Sequence, residues 1–277
     1  MTRVSAGLAL AFTAVTLGAC VGTPAAYEPQ AVKAAETKAG YLARSALQAM
    51  ADEVPPPPSS GSEAEAADHA KSAEYKTFEN TDRWLQATSH AEVRLPFALQ
   101  HFDCALAVRF NPAENATPAT TRLMHRLFED AEATSTIVKL RAYRARPVGD
   151  DADRLACQTV SAAGRASPSY PSGTATVAGA YGEAMAAIAP DSADAAREIG
   201  RQIAISRAIC GMHYPTDVRV GYELGRKVFE QAARTPEFAA DLAAARAELA
   251  ALRRQNLVNP GCAAERLALA MTADLPL

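Results

Sequence analysis

Three short segments hold residues whose types and spacing could do chemistry. Lys139 and Arg146 lie seven apart, with Pro147 behind them. On a helix, two turns bring such positions to one face, so the spacing predicts two cations pointing the same way. The second segment, Ser169-Tyr170-Pro171-Ser172-Gly173-Thr174, leads into a stretch rich in alanine and glycine. Small residues at a helix start leave backbone N–H groups that hold an anion or make a plain N-cap. The third runs from Ser206 and Arg207 through Cys210 and Gly211 to His213 and Asp217. Gly211 suits the end of one helix and Pro215 the start of the next. Across that break His213 and Asp217 are expected to meet. A carboxylate on one ring nitrogen fixes the tautomer and leaves the other nitrogen a better nucleophile. Taken singly, each segment also has a structural reading: a solvated basic face, a helix cap, a paired histidine.

The elements that must position these residues read as helices. Leu95, Phe97, Ala98, Phe102 and Leu106 recur at three- and four-residue steps. Helical patterns cover 62–77, a segment opening at Thr81-Asp82, 121–133 and 137–143, then 174–189, 192–209, 218–233 and 236–254. No run of alternating β-branched residues suggests a sheet, so the expected fold class is an all-α bundle. A loop of about 25 residues after Pro147 is long for a compact helical domain, and such loops are usually functional. Pro55 to Pro58 stops any helix and imposes extended geometry, either as a linker or as a stretch packed on the core. The helices from Pro236 onward are expected to pack on the domain, with self-association into a homo-oligomer as the other reading.

The chain has 277 residues, 49% of them apolar and 21% charged, and a formal net charge of −3. That composition is globular and lacks the basic excess of a nucleic-acid scaffold. Met1-Thr2-Arg3 precedes an uncharged apolar stretch that ends at Leu17-Gly18-Ala19-Cys20. This is the form of an export signal, and its apolar part is too short to span a bilayer. The cut before cysteine resembles a bacterial lipoprotein signal, in which that cysteine carries the lipid; an ordinary signal cut near Ala26 is the alternative. The expected organisation is a signal over 1–19, a tether over 20–45 with lipid on Cys20, and one domain over 46–277. The location this implies is the periplasm or outer membrane of a Gram-negative-type bacterium, with lipid as the only membrane attachment. Of five cysteines, Cys104, Cys157, Cys210 and Cys262 then remain for an oxidising compartment, and they can pair in three ways.

In order, K-x6-R-P, P-S-G and S-R-x5-H-x3-D resemble the signature of the type-2 phosphatidic acid phosphatase and vanadium haloperoxidase superfamily. Val54 with Pro55 to Pro58, Asp68, Tyr75, Phe102-Asp103-Cys104, Ser169-Tyr170 and Cys210-Gly211 further resemble the bacterial class A non-specific acid phosphatases. The likeness spans roughly residues 50 to 232 and implies that the proline run belongs to the domain. It also implies a phosphate pocket. Lys139, Arg146 and Arg207 would hold the phosphoryl oxygens, with Ser172, Gly173 and Thr174 adding hydrogen bonds. His213 would form a phosphohistidine and Asp217 would orient it. No metal or other cofactor is implied, because the cations carry the charge; phosphate or vanadate could occupy the site. The expected partners are small phosphorylated substrates.

One position departs from the pattern. The family usually has His directly after P-S-G, where it protonates the leaving oxygen; here the residue is Thr174. A hydroxyl is a poor acid near neutrality, and general acid help is worth ~10²–10⁴-fold. The expectation is a preference for activated leaving groups. His69, His90, His101, His125, Tyr170 and Glu183 are the candidates for a substitute acid. The alternatives to an acid phosphatase are a non-catalytic phosphate-binding lipoprotein, a vanadate-dependent haloperoxidase and an integral-membrane lipid phosphatase.

Overall fold

The computed structural model describes residues 39–111 and 117–277. The signal over 1–19, Cys20 and the tether as far as residue 38 lie outside them. Among the described residues there is no strand, and the fold is all-α. The chain runs through α1 (Arg44–Asp52), α2 (Glu63–Glu74), α3 (Asp82–Ser89), α4 (Asp103–Leu106) and α5 (Pro118–Lys139). Next come α6 (Pro147–Asp150), α7 (Ala162–Ala166), α8 (Gly173–Ile188) and α9 (Ala193–Ile209). The last are α10 (Pro215–Ala232), α11 (Pro236–Arg253) and α12 (Cys262–Ala270). Side-chain caps set several starts: Ser62 Oγ accepts from Glu65 N, Thr81 Oγ1 from Trp84 N, and Thr235 Oγ1 from Phe238 N.

The centre is α8. All of it is buried except Gly173, Thr174 and Ala187. A helix apolar on every side belongs in the interior, and α8 packs against α9, α10 and α5. Two glycines of α10 make the closest approach possible. A Cβ at Gly225 would collide with the Thr176 carbonyl, and one at Gly221 with the Ser172 carbonyl. Around this contact Leu123, Leu127, Tyr181, Met185, Ile203 and Val228 fill the core. The C-terminal α11 packs on α5 and buries Phe238, Ala245, Leu249 and Leu252.

Several sequence expectations change in detail. The patterns over 121–133 and 137–143 belong to a single helix, α5, which stops at Lys139. Lys139 and Arg146 therefore do not share a helix face; Arg146 is the residue before α6. The loop after Pro147 contains the short α6 and α7 and is held by its side chains. Arg154 Nη1 donates to Ser72 O at 2.7 Å, and Arg165 Nη1 to Val148 O at 2.7 Å. The proline run lies on the domain: the Tyr170 hydroxyl donates to Pro55 O at 2.7 Å and Arg141 to Val54 O at 3.2 Å. Of the three possible pairings, the disulfides are Cys104–Cys262 and Cys157–Cys210. The second ties the long loop to the residue that follows α9. Tyr41 is buried against Phe238, so the packed chain includes residues ahead of α1. Among the described residues, no helix is long and apolar enough to cross a membrane.

Candidate active site

The site forms where the ends of α5, α8, α9 and α10 meet the loop over 167–172. Gly211 takes φ +66° after α9, and Pro215 opens α10. The intervening turn carries His213, which is 3% exposed. Tyr214 precedes α10, and Asp217 Oδ2 reaches back to its N–H at 2.9 Å. Ser172 caps α8, its Oγ accepting from Ala175 N at 3.2 Å. That bond uses a lone pair and leaves the hydroxyl proton available. Ser172 N donates to Asp217 O at 2.9 Å, which stitches the starts of α8 and α10 together.

Lys139 and Arg146 converge although no helix face joins them. Lys139 Nζ donates to Pro168 O at 3.1 Å and to Pro171 O at 2.6 Å. Arg146 Nη2 donates to the same Pro168 carbonyl at 3.2 Å. Arg146 also donates to Ser167 O, Ser167 Oγ and Met212 O, and its Nη1 lies 3.0 Å from His213 Nε2. Arg207, in the last turn of α9, is 4% exposed. Its Nε and Nη1 are buried and have no hydrogen-bond partner among the described residues. Unpaired buried donors are costly, and an anion that accepts from them removes the cost. Gly173 sits beside this group: a Cβ there would lie 3.9 Å from Lys139 Cε and 3.4 Å from Ser135 Oγ. Thr174, next along α8, is partly exposed.

The electrostatics follow from three cations gathered in a low-dielectric site. Burial first, then Arg146, pulls the Lys139 ammonium down to about 7, with Asp217 opposing. Burial and Arg146 lower the Arg207 guanidinium to about 10, so it stays charged. Burial, then Arg146, Lys139 and Arg207, hold the His213 imidazole well below its ordinary range. The shift favours the neutral ring. Its tautomer follows from its neighbours. Nδ1 lies 2.7 Å from Ser169 O, a pure acceptor, so Nδ1 carries the proton. Nε2 faces a guanidinium, a pure donor, so Nε2 presents a lone pair.

One expected contact is not made. Asp217 does not hydrogen-bond to His213. Its Oδ2 accepts from Ser169 Oγ at 2.6 Å and from Tyr214 N, and its Oδ1 from Arg144 Nη1 at 2.7 Å. Burial pushes the Asp217 carboxyl above the usual carboxylate range, against the pull of Arg144 and Ser169. All three neighbours donate, which fits the ionised, acceptor-only form. Arg144 was hidden in the first segment. It lies between Lys139 and Arg146 but turns to an acidic pair, Asp217 and Asp68, with Asp68 Oδ2 at 2.8 Å. Asp68 comes from α2, and only the resemblance had marked it.

The candidate substitutes for the missing histidine are engaged elsewhere. His125 is exposed on α5 beside Glu129. His90 lies 2.9 Å from Ser206 Oγ and from Gln86 Nε2, and His101 bonds Glu92 O. His69 stacks on Tyr214 with ring centroids 4.6 Å apart. The Tyr170 hydroxyl donates to Pro55 O, and Glu183 pairs with Arg197 and Arg226.

No family model matches the chain. Curated relatives do. The chain is 28% identical over 195 residues to an acid phosphatase of Zymomonas mobilis, covering 70% of this chain and 73% of that protein. It is 29% identical over 212 residues to a non-specific acid phosphatase of Salmonella typhimurium, covering 71% and 78%. A non-specific acid phosphatase of Providencia stuartii is 27% identical over 211 residues, covering 73% and 81%. The chain is thus related to enzymes named as acid phosphatases, which are phosphoric monoester hydrolases.

Proposed function

We propose that the chain is an acid phosphatase of the class A non-specific type, hydrolysing phosphate monoesters through a phosphohistidine on His213. One observation carries this reading. A neutral imidazole offers Nε2 beside Lys139, Arg146 and Arg207, and two buried Arg207 donors have no partner among the described residues. In the first step the Nε2 lone pair forms an N–P bond as the P–O bond to the leaving group breaks, and the leaving oxygen keeps that pair. In the second, water forms a P–O bond, the N–P pair returns to Nε2, and the water's proton goes to solvent. The three cations, Ser172 Oγ–H and the N–H at the start of α8 stabilise charge on the transferring group. They supply the positive charge the transfer needs, so the reading requires no metal.

Thr174 in place of a titrating acid makes the leaving group's own basicity decisive. We infer a preference for aryl, anhydride or otherwise activated phosphates. The same residue favours one second reading, a phosphate-binding lipoprotein without turnover. The two disulfides fit an exported protein, with the lipid anchor on Cys20 as part of this proposal. The test is hydrolysis of an aryl phosphate in the presence of a chelator. Turnover that disappears in His213→Ala supports the phosphatase. Tight phosphate binding without turnover on any activated ester supports the binding protein.

A further inference from the structure

Between His213 and Asp217 stands Ser169. Both Ser169 and Asp217 are fully buried. The serine's single hydroxyl proton has its nearest acceptor in Asp217 Oδ2 at 2.6 Å, with Met212 O far longer at 3.4 Å. The hydroxyl oxygen then presents lone pairs to His213 Nδ1 at 3.3 Å, while the Ser169 carbonyl takes the same N–H at 2.7 Å. One residue thus holds the ring N–H through two acceptors, and one of these is polarised by the carboxylate. A hydroxyl that donates to an anion becomes a stronger acceptor.

Behind Asp217 the order continues. Arg144 Nη1 is shared between Asp217 Oδ1 and Asp68 Oδ2, at 2.7 and 2.8 Å. Asp68 Oδ1 in turn accepts from Thr216 N and Oγ1, each at 3.0 Å. The guanidinium rests on the Tyr214 ring, 4.3 Å from its centroid. Two carboxylates on one guanidinium leave a net negative charge behind the imidazole, facing the cations in front. When Nε2 takes a phosphoryl group, the ring becomes positive and its N–H binds more strongly to whatever lies at Nδ1.

We propose that Ser169 is a positioning residue through which Asp217 acts on His213, with the Asp68–Arg144 pair holding Asp217 in place. This rests on His213 being the nucleophile. Lys139, Arg146 and Arg207 bind the substrate's phosphoryl oxygens; Ser169 and the acidic pair do not touch it. Losing the relay therefore slows chemistry without loosening binding.

Ser169→Ala removes the hydroxyl and keeps the carbonyl. On an aryl phosphate its kcat should fall by about 10²-fold, the scale of a small misplacement, with KM and phosphate inhibition little changed. Adding Ser169→Ala to Asp217→Asn should cost almost nothing more, because both break one relay. Asp68→Asn should lower kcat in the same direction by less. The His213 Nδ1–H proton resonance, assigned with His213→Gln, gives a readout independent of turnover. Ser169→Ala and Asp217→Asn should each move it upfield. Additive kinetic losses, or a resonance that Asp217→Asn moves and Ser169→Ala leaves in place, would overturn the relay. If the wild type hydrolyses no phosphate ester, the phosphatase reading fails. The resonance still decides whether Ser169 couples the two residues.

Discussion

Arg146 Nη1 donates to His213 Nε2 across 3.0 Å, so a guanidinium sits against the ring nitrogen proposed as the nucleophile. The same guanidinium is pinned by the Pro168, Ser167 and Met212 carbonyls. These contacts hold it beside the ring nitrogen. Arg146→Lys keeps the charge but loses the planar fork. We expect kcat/KM on an aryl phosphate to fall by about 10²-fold, the effect of removing one aligned donor from a developing anion. Steady-state kinetics check this, and a near-normal Arg146→Lys would show that charge alone suffices.

The Thr174 position predicts a steep dependence on the leaving group. An aryl phosphate should be hydrolysed at least ~10²-fold faster than a simple alkyl phosphate, since only the alkyl ester needs a proton donor. Thr174→His should narrow that gap, mainly by raising the alkyl rate. Equal rates for both esters in the wild type would contradict the assignment.

Lys139 sets the expected alkaline limit. Its pKa in the free protein is about 7, and a cation's charged form lies below its pKa. Phosphoryl binding should therefore hold at acid pH and weaken as pH rises through about 7. Because kcat/KM reports the free enzyme, the limb should show there, and at higher pH in kcat, where bound phosphate favours the ammonium. Lys139→Arg, charged throughout, should remove the limb whatever its overall rate. Burial and the three cations lower the His213 pKa, so any acid limb from His213 is expected below the ordinary histidine range.

Gly221 links core packing to the site. Its α-carbon faces the Ser172 carbonyl too closely for any Cβ. Gly221→Ala must push the start of α8 away from α10, a change of the overpacking kind that costs ~1–3 kcal/mol. We expect a lower Tm together with a raised KM, because Ser172 and Gly173 move with the helix start. A Gly221→Ala protein with unchanged melting and kinetics would show that α8 shifts freely.

The site was legible in the sequence where its chemistry is local. Lys139, Arg146, Arg207 and His213 stand in short segments whose order along the chain carries the resemblance, while each segment alone also has a structural reading. The helix starts expected near 62, 81 and 236 are legible too, because Ser62, Thr81 and Thr235 each cap through a backbone N–H only three residues on. What escaped depends on distant partners. Arg144 looks like one more cation in a basic stretch; Asp68, 76 residues earlier, and Asp217 together turn it away from the pocket. The spacing of His213 and Asp217 suggested a direct contact. Tyr214 N, Ser169 Oγ and Arg144 occupy the carboxylate instead, and two of these come from other segments. The break expected between 133 and 137 is absent because Thr134 and Ser135 are polar yet buried, with hydroxyls bonded to Asp130 O and Glu132 O. Thr134 thereby bonds within its own helix, which a hydrophobic pattern does not register.

The most direct measurement is to mix the protein with an aryl phosphate and quench it in denaturing alkali, where phosphohistidine survives. Peptide mass spectrometry then locates any phosphoryl group. Phosphate is expected on His213 of the wild type, formed in the presence of a chelator and absent from His213→Ala. Turnover that persists in His213→Ala, or a phosphoryl group trapped on another residue, would contradict it.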